Sequence, residues 1–93
     1  MIKSSCDAET EKIFHRRSSR RLPGDIQSLA LRKLRMLSNA FDLVDLRSPP
    51  ANRLEKLAGD REGQSSIRIN DQWRICFVWR DGAAYEVEIC DDH

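Results

Sequence analysis

Apolar residues occur at every second position in the C-terminal third of the chain, a pattern typical of β-strands with one buried face. They form three groups with polar or small residues between them, and all of them have odd numbers. The groups are Ile67 and Ile69; Trp73, Ile75, Phe77 and Trp79; and Tyr85, Val87 and Ile89. The pattern predicts three antiparallel strands, near residues 65–70, 73–80 and 84–90.

The shared odd parity also predicts how these strands pair, because a slip of one residue would turn every side chain to the other face. Each connection should therefore hold an odd number of residues. We expect three-residue turns at 70–72 and 81–83, where Gly82 permits the positive φ that such a turn requires. This register pairs Ile67 with Ile75, and Phe77 with Val87.

On the opposite face the same register places Arg68 opposite Arg74, with Cys90 on the far side of Arg74. Two like charges that face each other across a strand pair repel, so an anion is expected nearby. Glu88 and Asp92, both diagonal to Arg74, are the candidates within the chain. The alternative is a bound phosphate, which guanidinium groups hold through two parallel hydrogen bonds.

Two helices are predicted before the strands, near residues 7–17 and 23–41. The first has acidic residues near its start and arginines at its end, which matches the helix dipole. The second starts at Pro23 and has a stripe of apolar residues at helical spacing. That stripe, expected to pack on the sheet, is Ile26, Ala30, Leu34, Leu37 and Phe41, whereas Arg32, Lys33 and Arg35 are expected to stay exposed.

The order of these elements predicts an α+β fold, with both helices on one face of an antiparallel β-meander. Residues 1–4 are expected to add a short edge strand. A length of 93 residues allows one small domain, which we expect to span residues 1–93. The chain has no apolar run that could span a bilayer and no apolar leader, which predicts a cytoplasmic protein.

Cysteine spacing indicates neither a disulfide framework nor a zinc site. The three cysteines, Cys6, Cys76 and Cys90, are odd in number and include no CxxC pair. We expect all three to be buried as small apolar side chains.

The net charge of +1 hides an asymmetry between the two parts of the chain. Residues 1–40 carry a net charge of +5 and residues 41–93 a net charge of −4. The most basic stretch lies between the predicted helices, and we call its four arginines the basic patch: Arg16, Arg17, Arg20 and Arg21. The patch is predicted either to contact nucleic-acid phosphates, together with Arg32 and Arg35, or to be a solvated linker.

Three stretches carry a resemblance to a known family: RLEKLAGD at 53–60, SIRINDQWRICF at 66–77 and VEICDDH at 87–93. They resemble the HigB toxins of the RelE/ParE superfamily, the toxin halves of type II toxin–antitoxin modules, and the likeness covers nearly the whole chain. The resemblance implies a compact α+β fold and an mRNA interferase that cuts message in the ribosomal A site. It also implies neutralisation by a helix-turn-helix antitoxin of the HigA type, through which alone operator DNA would be contacted.

RNA cleavage without a metal or other cofactor needs a base, an acid and cations that stabilise charge on phosphate. His93 suits the acid or base role near neutral pH, and Asp91 or Asp92 could orient it. Arg68 and Arg74 suit charge stabilisation. Further phosphates along the RNA could be held by two more cations, Lys56 and Arg61.

The chain departs from the usual family pattern around this predicted site. Ala58 stands where lysine is common, Ser65 where an aromatic residue is common, and Asp92 where tyrosine is common. Some members have a histidine where this chain has Glu55. These departures imply an attenuated enzyme, and they leave open a non-catalytic alternative: a gyrase inhibitor, or a toxin that only binds its antitoxin.

Overall fold

The computed structural model describes residues 1–91, so Asp92 and His93 lie outside the described residues. Two helices and a four-stranded antiparallel sheet form the fold, with the strands in the order β1-β2-β3-β4. The helices are α1 (Ala8–Phe14) and α2 (Gly24–Asn39). The strands are β1 (Glu55–Lys56), β2 (Ser65–Arg68), β3 (Trp73–Arg80) and β4 (Ala83–Asp91). The predicted α+β fold is confirmed, and β1 is an addition to it.

Both helices end earlier than the sequence pattern predicts. Helix α1 is capped by Asp7, whose Oδ1 accepts from the Thr10 N–H at 2.7 Å, and it ends before Arg16, which has a left-handed φ of 64°. Helix α2 ends at Asn39, so Phe41 lies beyond it and is 91% exposed rather than packed on the sheet. Within residues 1–91, neither helix is long and apolar enough to cross a membrane.

The predicted register of β2 and β3 is confirmed. Ile67 pairs with Ile75, and both side chains are fully buried beneath the helices. On the other face Arg68 pairs with Arg74, which in turn pairs with Cys90 on β4. The arginines therefore lie side by side because the apolar residues one position away must all face the core.

The second turn is shorter than predicted. Arg80 pairs with Ala83, so the connection holds only Asp81 and Gly82, with φ values of 53° and 75°. Two consecutive positive φ values define the type I′ turn, whose twist suits a two-residue hairpin. The predicted three-residue turn at 81–83 was therefore wrong.

A β-bulge corrects the parity that this shorter turn would otherwise break. The register between β3 and β4 shifts by one residue after Cys76, and Glu86 on β4 has a φ of 52°. The extra residue at the bulge reverses the alternation of side chains between the two faces of the sheet, so Val87 faces the core. Phe77 and Val87 are both fully buried as predicted, but they lie at the bulge and not in a regular ladder pair.

The N-terminal residues run beside β4, as the predicted edge strand requires. Ile2 and Ser5 form isolated parallel bridges with Ala84 and Val87. The Lys3 N–H donates to the Ala84 carbonyl at 2.8 Å. The contact takes the form of two isolated bridges because the bulge of β4 falls between them.

Lys33 was predicted to be exposed, and this prediction was wrong. The residue is 7% exposed, and its Nζ donates to Asn52 Oδ1 at 2.5 Å. Asn52 is fully buried and donates to the carbonyls of Leu46 and Ser48, at 3.1 and 3.3 Å. Burial lowers the pKa of Lys33. The pair thus fastens the loop after α2 onto the helix.

Asn52→Ala should lower the free energy of unfolding by about 3 kcal/mol, since it leaves the buried ammonium group of Lys33 and the buried carbonyl of Leu46 without their partner. Urea unfolding would measure the loss. Asn39→Ala, at an exposed position of α2, is the matched control and should change the stability by less than about 0.5 kcal/mol. Equal losses in the two variants would contradict a structural role for Asn52.

Candidate functional site

A pocket of about 200 Å³ lies on the sheet face that points away from the helices. Arg68 from β2 and Arg74 from β3 line it, together with Arg53, Glu55 and Ser66. Glu55 and Ser66 are themselves partners across β1 and β2. Three arginines and one carboxylate thus meet on one small concave surface, which we call the arginine pocket.

Within residues 1–91, each of the two facing arginines forms an ion pair with an acidic residue that the sequence did not predict for it. Arg74 Nη1 lies 3.2 Å from Glu55 Oε1, and Arg68 Nη2 pairs with Asp71. Arg68 Nε also donates to the Asn70 carbonyl at 2.9 Å. The Glu55 side chain is 60% exposed, and an ion pair with so exposed a partner contributes only about 0–1 kcal/mol. The ion pair with Glu55 by itself therefore holds Arg74 only weakly.

Glu88 lies diagonal to Arg74, as the register predicted, and its carboxylate forms an ion pair with Arg61. Arg61 Nη2 lies 2.6 Å from Glu88 Oε1, and Arg61 Nη1 donates to Gln64 Oε1 at 3.0 Å. The hydrogen bond with Glu88 raises the pKa of Arg61. Asp92, the other predicted neighbour, lies outside the described residues.

Strand β4 ends at Asp91, next to the start of β3. Asp91 ends β4 opposite Trp73, and its Oδ2 accepts from Gln72 Nε2 at 3.2 Å. The preceding residue of β4 is the ladder partner of Arg74. The last two described residues of β4 therefore lie beside Trp73 and Arg74 at the start of β3. The roles of Asp92 and His93 remain predictions.

Two of the three cysteines are buried on this face, and their sulfurs are in contact. Cys76 Sγ and Cys90 Sγ are 3.1 Å apart, and both thiols are free. The hydrogen bond from Cys90, aided by the charges of Arg61 and Arg74, outweighs burial and lowers the pKa of Cys76 to about 7. The same hydrogen bond, together with burial, raises the pKa of Cys90. Cys6 is exposed, which corrects the prediction that all three are buried.

The basic patch belongs to a different part of the surface. Its arginines are exposed on the segment between α1 and α2, and Arg16 and Arg17 line a groove of about 430 Å³ with Arg35 of α2. Arg32 is exposed on the same helix, as predicted. This groove shares no lining residue with the arginine pocket. The structure therefore does not bring the patch and the predicted catalytic arginines into one site.

Lys56 is exposed on β1 and lines a third pocket, of about 510 Å³, with Glu55 and Ser65. Glu55 lines both this pocket and the arginine pocket. Lys56 therefore lies one residue from the arginine pocket, whereas Arg61 is engaged with Glu88.

Sequence reasoning missed Arg53, Glu55 and Ser66 as members of the site. A strand of two residues is too short to show alternation, so β1 left no periodic signal. The available signal was the position of Glu55, where some family members have histidine. Its neighbour Arg53 has a φ of 45°, which turns the chain into β1.

Known structures share this arrangement of helices and sheet. A mutant of YafQ from E. coli superposes with a TM-score of 0.62 at 12% identity, covering 99% of this chain and 94% of that chain. The YoeB–YefM complex from Staphylococcus aureus matches with a TM-score of 0.61 at 15% identity, covering 100% and 98%. At such low identity these likenesses establish the fold alone.

The sequence identifies the family. The profile described as RelE-like toxin of type II toxin–antitoxin system HigB matches residues 4–93, and the chain belongs to this family. Toxin HigB-1 of Vibrio cholerae serotype O1 is 46% identical over 65 residues, which are 70% of this chain and 68% of that relative. Endoribonuclease HigB of Proteus vulgaris is 29% identical over 93 residues, the full length of both chains.

Proposed function

We propose that this toxin is an endoribonuclease that cuts mRNA on the ribosome and so inhibits translation. The observation that carries the proposal is the pairing of Arg68 with Arg74 across β2 and β3, in a pocket rimmed by an exposed carboxylate. Guanidinium groups bind phosphate through two parallel hydrogen bonds, so two of them side by side suit a phosphate that gains charge during cleavage. The relative from Proteus vulgaris that bears the name endoribonuclease supports the reaction class.

The side chains supply each role that RNA cleavage needs, so the proposed reaction uses no metal. A base removes the 2′-OH proton, the arginines stabilise the charge that develops on the phosphate, and an acid protonates the departing 5′-oxygen. We assign the acid role to His93, held by Asp91 or Asp92. In the sequence it follows Asp91, the last residue of β4, by two positions.

We assign the base role to Glu55. Its carboxylate lies 3.2 Å from Arg74 and is 60% exposed, so a phosphate bound between the arginines would lie next to it. Ionised carboxylates are suited to accept a proton from a sugar hydroxyl in such a position. The Glu55 carboxylate thus provides a proton acceptor at the position where some family members have histidine.

Glu55→Gln tests this assignment, because glutamine keeps the shape of the side chain and removes its basicity. We expect cleavage on programmed ribosomes to slow by about 10²- to 10⁴-fold, with little loss of ribosome binding. Primer extension on the message would give the cleavage rate. Glu62→Gln, at an exposed position between β1 and β2, is the control. A rate within about twofold of the wild type would remove Glu55 from the mechanism.

The same assay separates the proposed function from its alternative. Cuts within the message that depend on ribosomes support the endoribonuclease. Inhibition of DNA supercoiling without cuts would support a gyrase inhibitor. Neither activity, with retained binding to the antitoxin, would support a toxin whose catalysis has been lost through Ala58, Ser65 and Asp92.

We further propose that a HigA-type helix-turn-helix antitoxin neutralises the protein in the cytoplasm, with residues 1–93 acting as one domain. Membership of a toxin–antitoxin family supports such a partner, and so does the shared fold with a chain solved as the YoeB–YefM complex. Operator DNA would be contacted only through the antitoxin complex. Co-purification of the two proteins would test this partner. The antitoxin should inhibit the toxin in the complex and no longer inhibit it once the complex dissociates.

The basic patch is proposed to attract ribosomal RNA from a surface separate from the arginine pocket. Replacing its four arginines by glutamine should reduce the slope of log affinity against log salt by about 3, because each phosphate contact releases close to one counterion. Ribosome binding measured over a series of salt concentrations gives that slope. Arg80→Gln, at the far end of β3, is the control and should change the slope by at most about 1.

An unchanged slope in the fourfold variant would assign the patch to solvation. A slope that falls as much in the single control as in the fourfold variant would also contradict the assignment, because the contacts would then lie on another surface.

A further inference from the structure

Cys76 and Cys90 lie diagonally across β3 and β4, and their sulfurs are 3.1 Å apart. A disulfide has an S–S distance of about 2.05 Å, so the sulfurs need to approach by about 1 Å to form one. Cys76 is fully buried and Cys90 is 8% exposed, so the pair lies just beneath the protein surface.

The surroundings of the pair favour ionisation of one thiol. Arg61 and Arg74 contribute positive charge, and the thiol of one cysteine donates to the sulfur of the other. The pKa of Cys76 is lowered to about 7, which favours its thiolate compared with that of an ordinary cysteine. Thiolate, and not thiol, is the form that attacks peroxides and disulfides.

We propose that Cys76 and Cys90 are a site of reversible oxidation by hydroperoxides, and that their disulfide slows the reaction of the neighbouring arginine pocket. The second part rests on the proposed function, whereas the first part does not. The site is a pair on adjacent strands, both of whose thiols lie on the face that carries Arg74.

The reaction balances in two steps with hydrogen peroxide as the oxidant. A thiolate attacks one peroxide oxygen, the O–O bond breaks, and the hydroxide that leaves takes up a proton to give water and a sulfenic acid. The sulfur of the second cysteine then attacks the sulfenic sulfur, the S–O bond breaks, and a second water leaves with the thiol proton. The two thiols lose two electrons and two protons, and Cys76, whose pKa is lowered, is the cysteine that attacks the peroxide.

The position of the pair links this bond to the reaction. Cys90 is the ladder partner of Arg74, and the next residue, Asp91, begins the predicted catalytic tail. Drawing the two sulfurs together shifts β3 and β4 against each other next to the pair of Arg74 and Cys90. A displacement of about 1 Å at a reacting group lowers a rate by about 10²-fold.

The experiment uses the full chain with Cys6→Ser, which removes the exposed thiol and so prevents links between molecules. After treatment with hydrogen peroxide, trypsin should release peptides 75–80 and 81–93 as one cross-linked species, two hydrogens lighter than their sum. Dithiothreitol should separate them. Cleavage on programmed ribosomes should fall by about 10²-fold on oxidation and return on reduction. Cys90→Ser in the same background is the control. Its cleavage rate should not fall with hydrogen peroxide and then recover with dithiothreitol.

Peptides that remain separate, with both thiols still open to alkylation after unfolding, would overturn the modification site. Conversion of one cysteine to a sulfinic acid without a cross-link would also overturn it. A cross-link with no change in the cleavage rate would overturn the link to the arginine pocket. A protein that cuts no RNA even when reduced would contradict the proposed function, while the peptide masses would still decide the disulfide.

Discussion

Arg74→Lys should lower the rate of mRNA cleavage on programmed ribosomes by about 10²- to 10³-fold, while ribosome binding stays nearly unchanged. Lysine keeps the positive charge but loses the planar pair of donors that fits the oxygens of a phosphate. The effect should therefore fall on the transition state and not on the affinity for the ribosome. Single-turnover cleavage and a separate binding measurement would show this difference.

Arg80→Lys is the matched control for Arg74, because Arg80 lies on the same strand but points its guanidinium at the ring of Tyr85, 4.4 Å from the ring centroid. Its variant should cleave at close to the wild-type rate. A loss in Arg74→Lys that appears equally in binding and in cleavage would show that Arg74 only attaches the RNA.

His93→Ala should lower the cleavage rate by on the order of 10²-fold or more, if the imidazole transfers the proton to the departing oxygen. The chain has one other histidine, His15, at the end of α1, where it lies 3.9 Å from Glu11 and is exposed. His15→Ala is therefore the control, and it should cleave at the wild-type rate. Equal rates for the wild type and both variants would remove His93 from the mechanism.

Asp92→Tyr tests whether Asp92 lowers the cleavage rate of this chain. The usual family residue adds an aromatic ring that can stack on a base and a phenol that can donate a hydrogen bond. A rate above that of the wild type would mean that Asp92 limits activity. A rate unchanged by both Asp92→Tyr and His93→Ala would exclude the tail as a whole.

Two surfaces with different proposed tasks follow from the fold. The arginine pocket lies on the open face of the sheet, and the basic patch lies on the segment between the helices that cover the other face. Binding and cleavage are therefore separable by mutation. The glutamine variant of the patch should change the salt dependence of binding, whereas changes at Arg74 and Glu55 should act on the cleavage step.

The sequence predicted the pairing that defines the arginine pocket, because strand side chains alternate with a period of two. With Ile67 and Ile75 facing the core and a three-residue turn at 70–72, Arg68 and Arg74 pair on the other face. The same reasoning gave the wrong second turn, since a two-residue turn and a bulge at Glu86 satisfy the same parity as one longer turn. Parity constrains the total number of residues in the turn and the bulge, but it does not show where along the strands they lie.

The sequence by itself determined the α+β class, the buried face of the sheet and the facing arginines, all through periodic burial of apolar residues. Tertiary structure decided what periodicity does not describe: single contacts between segments that are distant in the chain. Glu55 meets Arg74, and Lys33 is buried on Asn52, across 19 residues in each case. Such contacts depend on the path that each loop takes back to the sheet. The polar residues of a loop form no periodic pattern, so this path cannot be predicted from the sequence pattern.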